Sequence, residues 1–551
     1  MLNKSTSVAR TIVSTLLENG VQHVVLAPGS RSAPLAIAFM QAEFAGLIKV
    51  HVRIDERDAG FLALGLAKAS ANLVPIVVTS GTAVANLLPA VVEAYQSGVS
   101  LLVLSADRPE TARGNSAPQT IAQSNIFSSF VKANYDISCD SFSSDTFAEL
   151  IKTSRATHRG PIHVNMQFEM PLVPDAQDVD WAPKLTDIEL QVEHERLSKT
   201  LELPARGVII AGDIVELEQA RAVGKLAQQL GWPIIAEPSA NVHAELNALA
   251  HGVLVVASNK FSTPDCVLTV GTVGLSRPIL NLLKATSRHI AVHLSGNGPD
   301  LPDPVQSASE FLDALPVAQC ALDIKWLAMW QQADALVSDV VFENLKANTL
   351  TGPTAAVQVW NHAADDDQLM VAASWPVRHL EAFAPKRSGL RVFGNRGANG
   401  IDGLISTAWG ISEVAPNRTY LLIGDVAFLH DIGGLNVGES DEEPNLTVVV
   451  LDNAGGGIFS QLEQGRAEFA PYFEKAFGTP HGKDLWQIAE SFGFATTRVT
   501  TQSELAQALQ RTSSIPGVHI VICLTGERTA ENALIQKINS EIETALSTSA
   551  Q

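Results

Sequence analysis

The sequence predicts an α/β protein of three doubly wound parallel-sheet domains, and three observations predict it. Short apolar runs alternate with helical stretches, and the runs end in polar residues and glycine, as repeated βα units do. Runs such as Leu446–Leu451 are continuous and rich in valine, which suits strands buried on both faces. A chain of 551 residues divides into several cores. Two breaks place the divisions: the acidic, aperiodic Asp175–Leu203 and the short Thr349–Ala355 with its Gly352-Pro353 pair. The domains expected are 1–178, 200–335 and 355–551.

In the first domain, Val8–Glu18 has amphipathic helical spacing and Val21–Leu26 reads as a strand ending in Ala27-Pro28-Gly29-Ser30-Arg31-Ser32. A second strand, Lys49–Ile54, runs into Asp55-Glu56-Arg57-Asp58, and the small-residue helix Phe61–Ser70 follows. Val74–Val78 ends in Thr79-Ser80-Gly81-Thr82, ahead of a helix over Ala83–Ser97. Leu101–Leu104 ends in Ser105-Ala106-Asp107-Arg108-Pro109, and Pro161–Met166 closes the sheet. For the middle domain the strand candidates are Gly207–Ala211, Pro233–Ala236, Val253–Ala257, Cys266–Val270 and His289–Leu294, with a long helix over Leu322–Ala347. The third domain contains Arg391–Phe393, a helix at Leu404–Trp409, strands at Leu421–Ile423, Leu446–Leu451 and Val518–Ile522, and a helical tail. The first and third domains look like two copies of one architecture.

A hydrophobic fraction of 46% with 17% charged residues describes a globular chain, not a disordered one. No stretch reaches the roughly 18 apolar residues of a membrane span, and the N-terminus lacks a signal-peptide core. Four scattered cysteines form no metal or disulfide pattern, so a cytoplasmic location is expected. The net charge of −20 argues against a nucleic-acid partner. It also repels anionic substrates, so an anion site here requires locally concentrated arginine.

The chemistry concentrates in Leu421–Phe459. One buried strand ends at Gly424-Asp425-Val426, and the next at Asp452-Asn453 followed by Gly455-Gly456-Gly457. Ligands bind at such carboxyl ends in open α/β sheets. An anionic and a neutral oxygen ligand, with a free carbonyl nearby, suit a hard divalent ion that keeps places for phosphates. Glycines let the backbone approach a diphosphate. The same residues would serve as turns and caps in an ordinary βαβ unit. The pattern resembles the signature of thiamine-diphosphate (ThDP) enzymes, which begins Gly-Asp-Gly and ends Asn-Asn, with departures at Val426 and Asp452.

A ThDP enzyme needs a carboxylate to share a proton with the cofactor's aminopyrimidine. Asp55-Glu56-Arg57-Asp58 would ordinarily be a solvated turn, but it joins a buried strand to a small-residue helix. Glu56 is therefore the candidate. Three strand ends carry arginine: Arg31 in Gly29-Ser30-Arg31-Ser32, Arg108 in Asp107-Arg108-Pro109, and Arg396 in Asn395-Arg396-Gly397. Each alone could be a capping turn or a structural ion pair; together they favour binding of polycarboxylates. His430-Asp431 is expected to pack beside the diphosphate turn. Ile458 and Phe459 are candidates for the apolar wall that holds the cofactor bent.

Together these motifs resemble one family, 2-succinyl-5-enolpyruvyl-6-hydroxy-3-cyclohexene-1-carboxylate synthase of menaquinone biosynthesis. The matching stretches are APGSRSAPLAIA, IDERDAGFLALGLAKAS, TSGTAVANLLPAVVEA, SADRPE with APQTI after it, NRGANGIDGLISTAWG, and Leu421–Phe459. They cover most of the first and third domains and little of the middle one. The resemblance implies a fold of the ThDP-dependent decarboxylase type with pyrimidine-binding, middle and diphosphate-binding domains. It implies decarboxylation of 2-oxoglutarate and conjugate addition of the four-carbon unit to isochorismate, with ThDP and Mg2+ (or Mn2+) as cofactors. Carried over, Glu56 activates the cofactor, and Asp425, Asn453 and the Gly455 carbonyl hold the metal. Thr82, Gly424, Val426, Gly456, Gly457, Ile458 and Phe459 complete the cofactor site. Ser30, Arg31, Arg108, Gln119 and Arg396 grip substrate, with Arg277 as a further carboxylate contact. The resemblance also implies a homodimer or homotetramer whose active sites lie between subunits.

Two other readings remain open on sequence alone. An acetolactate-synthase-type ThDP carboligase shares the cofactor core, but three strand-end arginines fit a monocarboxylate substrate poorly. A non-catalytic diphosphate-binding regulatory protein would have no use for Glu56.

Overall fold

The computed structural model describes residues 2–156, 158–183, 198–294, 298, 301–439 and 442–549. Three parallel sheets form its frame. The first has strands β1 (His23–Leu26), β2 (Lys49–Val52), β3 (Val74–Val78), β4 (Leu101–Asp107), β5 (Ala133–Ser138) and β6 (Ile162–Gln167), in the order β2-β1-β3-β4-β6-β5. A short strand β7 (Thr200–Glu202) precedes the second sheet, which has β8 (Gly207–Ala211), β9 (Ile234–Ala236), β10 (Cys266–Val270), β11 (His289–Val292) and β12 (Glu310–Leu312) in the order β12-β11-β10-β8-β9. Strand β13 (Val317–Gln319) pairs with β7. The third sheet has β14 (Gln368–Val371), β15 (Arg391–Phe393), β16 (Thr419–Gly424), β17 (Leu446–Asp452), β18 (Ala495–Val499) and β19 (Val518–Leu524), in the order β15-β14-β16-β17-β19-β18. Counted from its own first strand, the third sheet repeats the order of the first.

The strands form where apolar runs can be covered on both faces. β3 and β4 are buried at every position, and β17 at all but its last. Helix starts follow capping chemistry: the Asp55 carboxylate accepts from Arg57 N–H at the head of the Glu56–Ser70 helix. That helix packs against Leu404–Val414, joining the first sheet to the third in one apolar core. Glycine permits the contact. A Cβ on Gly65 would lie 2.0 Å from the Thr407 carbonyl oxygen, and one on Gly410 would lie 2.2 Å from that of Leu62.

Several sequence expectations need correction. Val253–Ala257 is part of a helix, Gly252–Ala257, because a short unbroken apolar run suits a buried helix as well as a strand. Gly352-Pro353 does not continue a linker; it opens the Gly352–His362 helix, with Pro in the first turn and a Thr351/Thr354 capping box. The stretch expected as one helix over Ala83–Ser97 is two, Thr82–Ala85 and Leu88–Gln96. Strand β6 does not close its sheet: β5, half-buried and polar, takes the edge, and its weak apolar pattern hid it. Of the Asp175–Leu203 linker, residues 184–197 lie outside the described residues, and Thr200–Glu202 is strand. Among the described residues no helix is long and apolar enough to cross a membrane. The four cysteines are free.

Candidate active site

Strand register brings the third sheet's chemistry to one edge. β16 and β17 pair Gly424 with Leu451, so Asp425 and Asp452-Asn453 emerge side by side. A cavity of ≈ 210 Å³ opens there, and all nine residues expected of the diphosphate half line it: Gly424, Asp425, Val426, Asn453, Gly455, Gly456, Gly457, Ile458 and Phe459. The Asp425 carboxylate accepts from Gly455 N–H at 2.7 Å and Val426 N–H at 2.7 Å. Burial pushes it up to about 6 against those bonds. Gly455 has φ +144°, and a Cβ there would lie 2.1 Å from the Gly478 oxygen, so only glycine fits.

The cavity wall fits a diphosphate with its cation. Asn453 Oδ1, an acceptor, and Trp375 Nε1, a donor, are both buried with no hydrogen-bond partner among the described residues. Asp425 and Asn453 could supply hard oxygen ligands to such a cation. The Gly455 carbonyl already accepts from Gly457 N–H at 2.9 Å and has a second lone pair to offer. His481 is a neighbour that sequence reasoning missed: its Nε2 lies 3.3 Å from Asp425 and 3.6 Å from Asp452. The signal available was Thr479-Pro480-His481-Gly482, a turn with no apolar role.

The first sheet builds a second group, and none of its residues lines that cavity. Ser30, Thr82 and Gln119 are exposed, while Arg31, Glu56 and Arg108 are half-buried. Gly29 packs so closely on Thr79 that a Cβ would sit 2.3 Å from its side chain. Arg31 donates to the Phe168 carbonyl at 3.0 Å, and burial together with the charge of Arg108 pushes its guanidinium below its ordinary value. Gln119, at φ +55°, donates to the Ser80 carbonyl and accepts from Ser80 Oγ, which fixes it beside Gly81-Thr82. Glu56 accepts from Asn86 Nδ2 at 3.2 Å. Beneath Arg108 lies a polar network that sequence reasoning missed. Asp107 accepts from Arg108 N–H, from Asn165 Nδ2 at 3.0 Å, and pairs with Arg113 at 3.1 Å. Its residues lie on β4, β6 and the loop between β4 and β5, so no local motif marks it.

Arg396 stands apart from both groups. Its Nη2 lies 4.0 Å from Glu237 Oε2, and its positive charge reaches Arg378, a second arginine that sequence reasoning passed over. Burial and then Glu237 push Glu381 up to about 8 in the same cluster. Arg378 donates to the carbonyls of Ser374 and Leu275, and Ser374 lines the Asp425 cavity. Arg277, at the head of the Arg277–Ala285 helix, is exposed and does not reach the cavity within this chain. His430-Asp431 does not pack on the diphosphate turn. The His430 side chain is exposed, and Asp431 accepts from the N–H groups of Gly403, Ile405 and Ser406, capping the Leu404–Val414 helix.

The paired sheets and the Asp425 cavity define a thiamine-diphosphate enzyme. Residues 6–126 match the family described as thiamine pyrophosphate enzyme, N-terminal TPP binding domain, and residues 378–523 match its C-terminal TPP binding domain. A 2-succinyl-5-enolpyruvyl-6-hydroxy-3-cyclohexene-1-carboxylate synthase of Thermobifida fusca is 38% identical over 532 residues, covering 92% of this chain and 94% of that protein. Proteins of the same name from Nocardioides sp. (39% identical, 94% of each chain) and Kineococcus radiotolerans (38%, 95% of this chain and 96% of that one) match equally broadly. The chain belongs to the 2-succinyl-5-enolpyruvyl-6-hydroxy-3-cyclohexene-1-carboxylate synthase family.

Proposed function

We propose that this chain decarboxylates 2-oxoglutarate and joins the remaining four-carbon unit to isochorismate by conjugate addition, releasing carbon dioxide. The observation that carries the reading is the cavity lined by Gly424 to Phe459, with a buried carboxylate and an unpartnered Asn453 oxygen in its wall. Bound ThDP supplies the electron sink on which a 2-oxo acid loses carbon dioxide. Asp425, Asn453 and the Gly455 carbonyl would hold Mg2+ or Mn2+ against its diphosphate. Gly456 and Gly457 would cradle the phosphates, and Ile458 and Phe459 would support the rings.

Glu56 is assigned the proton shared with the cofactor's aminopyrimidine, with Thr82 beside it. Ser30, Arg31, Arg108, Gln119 and Arg396 are assigned the carboxylates of two dicarboxylate substrates, with Arg277 as an outlying contact. Bidentate guanidinium pairing gives such sites their selectivity. Because Glu56 and Asp425 do not share a cavity within one chain, a homodimer or homotetramer that brings one chain's first sheet to another's third is the proposed active form. A cytoplasmic location accords with the free cysteines.

The test is to mix the protein with 2-oxoglutarate, isochorismate, ThDP and Mg2+ and to identify the product by mass. Turnover of pyruvate with none of 2-oxoglutarate would sink the assignment.

A further inference from the structure

The loop that carries Arg396 is held by two buried charges from the first sheet's helices. Lys68 lies in the last turn of Glu56–Ser70 and Glu93 in Leu88–Gln96. Their side chains are 1% and 3% exposed and stand 3.3 Å apart. A buried ion pair of this kind gains little by attraction alone, since desolvation offsets it. What remains is the hydrogen bonding of each partner, and both direct it to the same loop. Lys68 Nζ donates to the Gly394 carbonyl at 2.7 Å and to Asn395 Oδ1 at 3.0 Å. Glu93 accepts from Gly397 N–H at 3.0 Å and Ala398 N–H at 2.6 Å. The loop is thus gripped at the two residues before Arg396 and the two after it.

Two further contacts close the grip. Asn395 Nδ2 donates to Thr407 Oγ1 at 3.0 Å. A Cβ on Gly397 would come within 2.8 Å of Ser97 N, so the loop lies directly on the end of the Leu88–Gln96 helix. Arg396 has little freedom left, with its side chain only 11% exposed.

We propose that Lys68 and Glu93 are positioning residues for Arg396, and that they set the enzyme's preference for a 2-oxo acid bearing a second carboxylate. This rests on the reading of Arg396 as a substrate-carboxylate contact. Neither residue touches substrate; each acts by fixing the height and direction of the guanidinium. A misplacement of about 1 Å in such a group is costly.

The experiment compares decarboxylation of 2-oxoglutarate with that of 2-oxopentanoate, which has a methyl group in place of the distal carboxylate. It uses the ThDP- and Mg2+-loaded wild type, Glu93→Gln, Arg396→Gln, and the double variant Lys68→Met/Glu93→Gln, which buries no charge. Expected is an about tenfold loss of discrimination in Glu93→Gln, carried by KM for 2-oxoglutarate, with ThDP affinity within about twofold of wild type. Glu93→Gln/Arg396→Gln should discriminate no worse than Arg396→Gln alone, since the two act on one contact. Should Glu93→Gln fail to fold around an unpaired lysine, the double variant gives the same reading. If Arg396→Gln destroys discrimination while the clamp variants keep it, the clamp role is overturned and the function stands. If Arg396→Gln itself keeps discrimination, the reading of Arg396 falls and the clamp role falls with it.

Discussion

The first and third sheets share one strand order, yet equivalent strand ends carry different chemistry. Following β2 comes Glu56, an acid; following β15, its counterpart, comes Arg396. β3 leads to Ser80-Gly81-Thr82 and β16 to Gly424-Asp425; β4 leads to Asp107-Arg108 and β17 to Asp452-Asn453. Two of the third sheet's strand ends, β16 and β17, meet at one cavity, whereas several of the first sheet's groups stand exposed. The scaffold decides where side chains gather, and residue choice decides what they do there. A repeated fold can therefore divide its chemistry: the third copy's strand ends line a cavity with a buried carboxylate and a glycine run, while the first copy's carry Glu56, Arg31 and Arg108.

The sharpest way to separate the two roles is Glu56→Gln. It should leave ThDP and Mg2+ binding intact and lower turnover by about 10²–10⁴-fold, the range for a lost acid–base group. Turnover near wild type would remove Glu56 from its role. The mirror experiment is Asp425→Ala, which should weaken ThDP binding in the presence of Mg2+ by about 10–100-fold. A calorimetric affinity equal to wild type would contradict the metal assignment.

Smaller effects test the joint between the copies. Gly65→Ala pushes a methyl group into the Thr407 carbonyl and should cost about 1–3 kcal/mol of stability. An unchanged melting temperature would mean that the two helices separate freely. Asp58, buried with neither carboxylate oxygen hydrogen-bonded among the described residues and its Oδ1 3.8 Å from Arg57 Nη2, is pushed up to about 7, mainly by burial and then by Asp431. Asp55 adds to the rise, and Arg57 and Arg53 oppose it. The folded state holds a proton there that the unfolded chain releases near pH 4, so this group's contribution falls as pH rises from about 4 to 7. Asp58→Asn should flatten that decline in melting temperature; a parallel decline in both proteins would count against it. Least of all, Lys152→Ala breaks an exposed pair with Glu149 and should change stability by less than about 0.5 kcal/mol in either direction.

Much of the site is legible in the order of the residues. Strand ends such as Gly424-Asp425 and Asp452-Asn453 announce themselves because an apolar run stops abruptly at residues that favour turns and oxygen ligands. The nine lining residues expected from the sequence follow from two such stops and a glycine run; others, such as Ser374, Trp375 and Glu531, come from elsewhere in the chain. β5 is hard to see because an edge strand needs no continuous apolar run, and Gly252–Ala257 is ambiguous because so short an apolar run fits either period. Arg378 lacks a glycine-rich turn to draw attention, although it stands beside Arg396.

The amino-acid order alone pointed to the βα repeats, the two polar strand ends and the candidate residues for a diphosphate. Those features are local: they depend on side-chain period and turn chemistry within a few residues. Packing settled the rest, including the approach of His481 to Asp425 and the grip of Lys68 and Glu93 on the Arg396 loop. Lys68 and Gly394 are 326 positions apart, and no local preference connects them. Their bond exists because Gly65 and Gly410 let two helices touch backbone to backbone, bringing a buried lysine level with a distant strand end.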